Sequence, residues 1–270
     1  MDKLELIGRG RTAEIYRWGD KQALKLFLDG YPASSAQYEL DIMLRISSAG
    51  LPVPYAEPDI VHIENRWGIV LERVDGPSML RLMQMKPLRL VSLAQTMAEV
   101  HAAIHQCTID VLPSARKSLA RAITNAPHLA AEIKDAATQR LENLPDGNNL
   151  CHGDFHPDNI IMTANGPRVI DWTNAVQGNP IADVARTTML LRAGAPVKKS
   201  RGRWLLEMLR QLLYTSYINR YKQLTSVKQA SIDQWQLPIL AARFSEEIPE
   251  EHEALLAWIN RLLADNHTAP

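Results

Sequence analysis

Three oxygen-bearing side chains, Asp154, Asn159 and Asp171, stand close together in this sequence. They lie in Cys151-His152-Gly153-Asp154-Phe155-His156-Pro157-Asp158-Asn159-Ile160 and, a little further on, Val169-Ile170-Asp171-Trp172. An acid, an amide five residues later and a second acid beyond a strand are what phosphoryl transfer requires. One carboxylate takes the proton of an attacking hydroxyl, which makes Asp154 the candidate base. The amide and the second carboxylate offer oxygen to a hard cation, so Asn159 and Asp171 are the candidate Mg²⁺ ligands. A polar turn would account for Pro157 and Asp158 as bend formers. It leaves unexplained two further acids and an amide framed by the apolar runs Ile160-Ile161-Met162 and Val169-Ile170.

The interval from Asp154 to Asn159 matches the catalytic loop of protein kinases. His152-Gly153-Asp154 replaces His-Arg-Asp, and Ile170-Asp171-Trp172 replaces the metal-binding Asp-Phe-Gly. Through H-G-D-x-H-x-x-N followed by I-D-W, the chain resembles the aminoglycoside phosphotransferase and choline kinase family. The resemblance implies an α+β, protein-kinase-like two-lobe fold, with a small β-rich N-lobe and a larger, mainly helical C-lobe. It also implies a kinase that moves the γ-phosphate of ATP, or of GTP, to a hydroxyl of a small molecule. Asn179-Pro180-Ile181-Ala182-Asp183-Val184-Ala185-Arg186 is similar to the family's G-D-P-x-x-D-L-A, with Asn179 in place of the first aspartate. By that likeness Asp183 buttresses the catalytic loop. A protein kinase is disfavoured, because no Ala-Pro-Glu follows Asp171. A nucleotide-binding pseudoenzyme acting as sensor or scaffold is the alternative, and retention of the reactive residues argues against it.

These residues need elements to hold them. The first ~75 residues read as strands around one helix, and the rest mostly as helices. Strands are expected at 4–7, 13–18, 23–28, 61–63 and 68–72, with a helix capped by Ser34 or Ser35 and running through 38–46. Arg73-Val74-Asp75-Gly76-Pro77 is the candidate linker, dividing a nucleotide-binding lobe, 1–74, from a catalytic and acceptor-binding lobe, 75–270. Helices are expected near 78–85, 88–106, 129–143, 180–191, 199–223, 228–242 and 249–263.

Lys25 sits in the middle of Ala23-Leu24-Lys25-Leu26-Phe27-Leu28. A buried ammonium must find an anion or lose its charge. ATP phosphates supply one, and Glu39, fourteen residues on in the next helix, supplies another. Asp41 competes if that helix is rotated. Replacing Lys25 by methionine is expected to leave folding intact. Gly8 and Gly10 flank Arg9 in a turn whose amides are placed to cover phosphates, a weak signal in the absence of a third glycine. Glu72 and Val74 belong to the segment the resemblance implies as the adenine hinge.

Several features imitate other chemistries. His152, Asp154 and His156 alternate like strand-borne zinc ligands, but no further cysteine or histidine arrives at usable spacing. His101 and His105 have the spacing of a helical zinc pair and lack its glutamate; they read as a helix face near the catalytic loop. Cys151 has no base at suitable spacing. Glu246, Glu247, Glu250, Glu251 and Glu253 place five acids within eight residues. They suit a polycationic acceptor or, more simply, a solvated helix start after Pro249. Trp172, Trp204, Trp235 and Tyr217 suit an aromatic box or the core.

Lys plus Arg and Asp plus Glu number 30 each among 270 residues. That balance gives no reason to expect nucleic acid or anionic membrane as partner. No apolar run approaches a membrane span, and Met1-Asp2-Lys3-Leu4-Glu5 lacks the apolar core of a signal peptide. Two cysteines make no disulfide framework. The expectation is a cytoplasmic monomer or homodimer acting on a small hydroxylic acceptor.

Overall fold

The structure is a computed structural model describing residues 4–10, 12–48, 50–109, 112–193 and 203–267. In chain order its elements are β1 (Leu6–Arg9), β2 (Ala13–Trp18), β3 (Gln22–Phe27), α1 (Ala33–Ser48), β4 (Ala56–Ile63), β5 (Arg66–Glu72), α2 (Met79–Met85), α3 (Leu90–Ile104), α4 (Ala115–Asn125) and α5 (Ala131–Glu142). They continue with β6 (Asn149–Cys151), β7 (Ile160–Thr163), β8 (Gly166–Val169), β9 (Val176–Gly178), α6 (Pro180–Ala193), α7 (Arg203–Thr225), α8 (Gln229–Arg243) and α9 (Pro249–His267). Packing divides the chain into two units. One comprises Met1–Leu82 with Pro157–Asn174; the other comprises Met83–His156 with Ala175–Pro270.

The first unit is built on an antiparallel sheet of order β1-β2-β3-β5-β4. Successive side chains of a strand point to opposite faces, so β3 serves two clusters. Phe27 packs with Leu40 and Met43 of α1 and with Ile69, whereas Leu24 and Leu26 pack with Val70. Lys25 has the parity of Phe27 and therefore faces α1. The β7–β8 hairpin joins this unit through Val169 N–H to the Pro52 carbonyl, 2.9 Å, and Met162 N–H to the Pro77 carbonyl, 2.9 Å. That approach requires glycine at 76. Its φ is +156°, and a Cβ there would lie 2.3 Å from the Met162 carbonyl oxygen.

The second unit is helical apart from the short β6–β9 pair. α3 buries Leu93, Ala94, Met97, Ala98 and His101, the spacing of one helical face. α8 is buried along its length from Trp235 to Arg243 and contains Pro238.

Several elements depart from expectation. β1 is displaced toward the glycines, so Gly8 lies in the strand opposite Ile15 and not in the turn. Backbone pairing, which accepts any residue, sets this boundary. β4 starts at Ala56 despite Pro58, because it is an edge strand and carries a register shift between Ala56 and Ile60. α1 begins before Ser34 and Ser35, so neither caps it: the Pro32 carbonyl accepts from the N–H of both Ser35 and Ala36. α4 was not expected at all. Its signals are present, with Ser114 accepting from Lys117 N–H as N-cap and Ala115 and Ile123 buried on one face. The part of the expected 199–223 helix before 203, the N-terminal residues 1–3 and Arg11 of the glycine turn lie outside the described residues.

Candidate active site

In the first unit, Lys25 is 12% exposed and forms an ion pair with Glu39, which is 2% exposed. Burial works to strip the charge from Lys25. The carboxylates of Glu39 and Asp171 outweigh it and raise the ammonium pKa. Asp41 does not compete: it accepts from Gln37 one turn earlier, at 2.9 Å. The second carboxylate oxygen of Glu39 is buried without a hydrogen-bond partner among the described residues.

Asp171 Oδ1 lies 3.7 Å from Lys25 Nζ and accepts from Thr173 Oγ1 at 2.8 Å. Its φ is +62°. A non-glycine residue in the left-handed region costs of order 1–3 kcal/mol and persists where the surroundings enforce it. Those surroundings are Trp172, 1% exposed, whose Nε1–H bonds the Val169 carbonyl at 3.1 Å, and Ile170, whose N–H bonds the Asn159 carbonyl at 3.0 Å. Asn159 is buried in a single 3₁₀ turn, Pro157–Asn159. The donor set of Asn159 and Asp171 is all oxygen, which suits Mg²⁺.

Phe27 and Tyr31, which the sequence did not single out, flank Lys25. Their rings stack at 4.2 Å, and the ammonium lies 5.5 Å from the Phe27 centroid. Gly10 N–H closes the β1–β2 turn onto the Ala13 carbonyl at 2.8 Å. A Cβ at Gly8 or Gly10 would make only ordinary contacts, at 3.5 Å. Folding of this unit therefore does not demand glycine at either position. At the end of β5 the N–H groups of Glu72 and Arg73 are committed to the carbonyls of Tyr55 and Lys21, at 2.7 and 2.8 Å. The Glu72 carboxylate pairs with Arg168 of β8.

In the second unit, β6 delivers the chain to His152 and Gly153. Both of their N–H groups end on Asp183, at 2.6 Å to Oδ2 and 3.0 Å to Oδ1. Gly153 has φ +77°, so this turn favours glycine. His152 is fully buried, and its Nδ1 accepts from Asp154 N–H at 3.2 Å. Thr187 donates to the Phe155 carbonyl at 2.9 Å. The loop is thus pinned at its backbone while Asp154 projects its carboxylate.

Asp183 is held in turn. His101 Nε2 and His105 Nε2 approach Oδ2 at 3.1 and 3.2 Å. Tyr217 and Tyr221 hydroxyls stand 2.7 Å from the respective Nδ1 atoms. An ionised carboxylate only accepts, so both Nε2 atoms donate to it. Burial alone would raise the Asp183 pKa, but the hydrogen bonds from His101 and His105 hold it well below the usual carboxylate range. Burial lowers the His101 pKa to about 3 and keeps that ring neutral. Among the described residues these three are the group whose spacing would suit a metal. Their hydrogen-bond capacity is already spent on one another and on the tyrosines, so they form a structural node.

Asp154 accepts on both oxygens. Arg186 Nη2 is 3.4 Å from Oδ1, and His156 Nε2 is 3.5 Å from Oδ2. Burial pushes its pKa up, but the His156 hydrogen bond and the Arg186 charge outweigh that and hold the carboxylate far below its ordinary range. In the sequence Arg186 stands only as part of the Asp183 segment; one arginine in a helix gives no signal of its target. Asn179 caps α6 by accepting from Ile181 N–H at 2.9 Å, so the amide serves where the family has an acid.

The acid cluster divides. Glu247, Glu250 and Glu253 are exposed, whereas Glu251 is 7% exposed and Glu246 is half-buried against Arg186 and Arg243. The solvated reading therefore fails for those two. Trp172, Trp235 and Tyr217 lie in the core and Trp204 is 66% exposed, so the four do not form a box. Cys151 is buried, and burial raises its thiol pKa well above the ordinary value. No helix among the described residues is long and apolar enough to cross a membrane.

A model of the phosphotransferase enzyme family matches residues 3–215. Among solved structures, the chain is similar to a thermostable mutant of aminoglycoside phosphotransferase APH(4)-Ia in its apo form, with 16% identity, 99% of this chain and 96% of that one covered and a TM-score of 0.66. A thermostable mutant of the same enzyme in a ternary complex with ADP and hygromycin B gives 19% identity, 97% and 92% coverage and a TM-score of 0.64. The amicoumacin kinase hAmiN, in complex with AMP-PNP, Ca²⁺ and Ami, gives 13%, 96% and 86%, and 0.63. No curated protein matches. The architecture is thus the α+β, protein-kinase-like one.

Proposed function

Because this chain belongs to the phosphotransferase enzyme family, we propose that it is a small-molecule kinase transferring the γ-phosphate of ATP to a hydroxyl of its acceptor. The observation that carries this reading is the buried Lys25–Glu39 pair with the half-exposed carboxylate of Asp171, carried on a backbone at φ +62°, beside it. A fold has no need of such a charge set, and a nucleotide phosphate does. The nucleotides bound by the APH(4)-Ia complex and by hAmiN, and the Ca²⁺ of the latter, support the same reading.

In this proposal residues 1–74 serve the nucleotide, with the hairpin at 157–174 packed on them, and residues 75–270 serve catalysis and the acceptor. Lys25 holds phosphate oxygens and Glu39 aims Lys25. Gly8 and Gly10 let backbone approach the phosphates, which would explain glycine where the fold does not require it. Adenine lies along Glu72–Val74. The N–H groups of Glu72 and Arg73 are spent internally, which leaves the Val74 N–H as the main-chain donor. Asn159 and Asp171 would hold Mg²⁺, which neutralises charge on the phosphates when bound. Asp154 orients the acceptor hydroxyl and accepts its proton as the bond to phosphorus forms. A carboxylate of low basicity does this late, once the oxygen has become acidic, so its larger contribution is positioning. GTP use, a cytoplasmic location and a monomeric or homodimeric state without nucleic acid belong to the same proposal.

Hygromycin B and amicoumacin in the similar structures make antibiotics the first acceptors to try. Phosphate transfer from labelled ATP should be screened across aminoglycosides, macrolides, choline and amino alcohols, with and without Mg²⁺. Transfer to one class and not the others, lost with Mg²⁺ withheld, supports the kinase. Tight Mg²⁺-ATP binding with no transfer, and no ATP hydrolysis, would favour the pseudoenzyme.

A further inference from the structure

Resting on the kinase reading, we infer that Arg186 and the ion pairs behind it, Glu246, Arg243 and Glu251, are positioning residues for the carboxylate of Asp154. Arg186 on α6 shares one nitrogen between two acids: Nη2 lies 3.4 Å from Asp154 Oδ1 and 2.8 Å from Glu246 Oε1. Glu246, in the turn after α8, gives its other oxygen to Arg243 Nη1 at 2.5 Å. Arg243 then meets Glu251 of α9 as a fork, Nε to Oε2 at 2.8 Å and Nη2 to Oε1 at 2.9 Å. Charges alternate along Asp154, Arg186, Glu246, Arg243 and Glu251. The row starts at the catalytic loop and ends on α9.

The row is costly as a stabilising device. The side chains of Arg243 and Glu251 are both buried, and that of Arg186 is 14% exposed. Buried ion pairs often contribute less than well-packed apolar residues of the same volume. Arg186 Nε is also buried without an acceptor among the described residues. The guanidinium is therefore not arranged to satisfy all its donors; the two carboxylates on Nη2 set its aim. Glu246 has the shorter contact, so Arg186 is anchored by Glu246 and touches Asp154 from a fixed place. With Oδ1 against Arg186 and Oδ2 against His156, the plane of the Asp154 carboxylate is determined from two sides. His152 also acts on its charge. A base that must meet an incoming hydroxyl in line needs this constraint, since misplacement by an ångström costs about a hundredfold.

The test uses the full chain and compares Arg186→Met, Arg186→Lys and Glu246→Gln, with exposed Glu250→Gln as control. Each is read by steady-state kinetics and by the side-chain carboxyl ¹³C resonance of Asp154, assigned with Asp154→Asn. We expect Arg186→Met to lower kcat by about 10- to 100-fold with little change in KM for ATP. Lysine at 186 should recover part of that loss, and Glu246→Gln should lower kcat less. The Asp154 resonance should move in the 186 and 246 variants and stay put in the control. If Arg186→Met fails to fold, Arg186→Lys and Glu246→Gln decide. An active wild type whose kcat and Asp154 resonance are both indifferent to the folded variants overturns the inference and leaves the kinase intact. So does a rise in acceptor KM alone, which would make Arg186 a substrate contact. If the wild type transfers phosphate to nothing, the kinase reading fails, and the resonance alone still decides: moved, the row holds Asp154; unmoved, it does not.

Discussion

At the scale of residues, Lys25 shows how far a sequence carries an argument. Its apolar neighbours announced burial, and the spacing to Glu39 announced the partner. What the sequence left unseen is how little water reaches that partner. Glu39 is more buried than Lys25, so Lys25→Met strands a carboxylate. The expectation that this variant folds normally therefore has to be reversed. Unpairing a buried ion costs on the order of 3 kcal/mol. Denaturant melts should show that loss, and adding Glu39→Leu should recover most of it; equal stability of wild type and Lys25→Met would remove the buried pair from the account. Asp171 carries a second lesson. Its candidacy as a metal ligand rests on its place after Val169-Ile170; its backbone conformation was not legible there. At φ +62° asparagine is tolerated and alanine is strained. Asp171→Asn should melt like the wild type yet show no Mg²⁺-dependent gain in ATP affinity by calorimetry. Retention of that gain would exclude Asp171 as the principal ligand. Asp154→Asn should instead leave ATP affinity intact and cut turnover by about 10²- to 10⁴-fold; near-normal turnover with a verified acceptor would exclude it as the base.

At the scale of elements, the helices were read well where one face is apolar and poorly where the partner decides. α3 was legible as a helix, and its two histidines as a face near the loop. Their convergence on Asp183 was not, because it requires α6 and α7 to arrive from 82 and 116 residues away. The node has a pH signature. The folded state holds His101 neutral, with a pKa lowered to about 3 against an ordinary 6.5. Between those values the unfolded chain binds the extra proton, so stability is full above pH 6.5 and falls as pH drops. Asp183 acts in the same direction at lower pH, since its folded pKa is depressed and its contribution is lost only below the usual carboxylate range. Unfolding midpoints in urea should therefore decline from pH 7 to pH 5. His101→Gln, which donates without titrating, should flatten that decline while starting from a lower stability. Parallel curves for the two proteins would mean that His101 is not the group responsible.

At the scale of the whole molecule, composition was informative and charge placement was not. Equal numbers of acids and bases gave no electrostatic reason to look for a polyanion partner. The acidic run at 246–253 looked like one feature and is two. Exposed Glu250 and Glu253 should be replaceable by glutamine with stability changes within about 0.5 kcal/mol, whereas Glu251→Gln should cost several times that, because it strips the fork from Arg243. Comparable thermal shifts for the two changes would reunite them. Sequence order misleads most at the hairpin β7–β8. It is read late, yet its backbone is bonded to Pro52 and Pro77, inside a unit that otherwise ends at Leu82. On the ribosome, which emits about 5–20 residues per second, the sheet of the first unit emerges several seconds before the hairpin that completes the unit. The nascent N-terminal segment must wait, incompletely covered, while residues 83–156 are made. Chaperone dependence should peak in that interval, and a chain stopped at residue 82 should be a poor substitute for a nucleotide-binding domain.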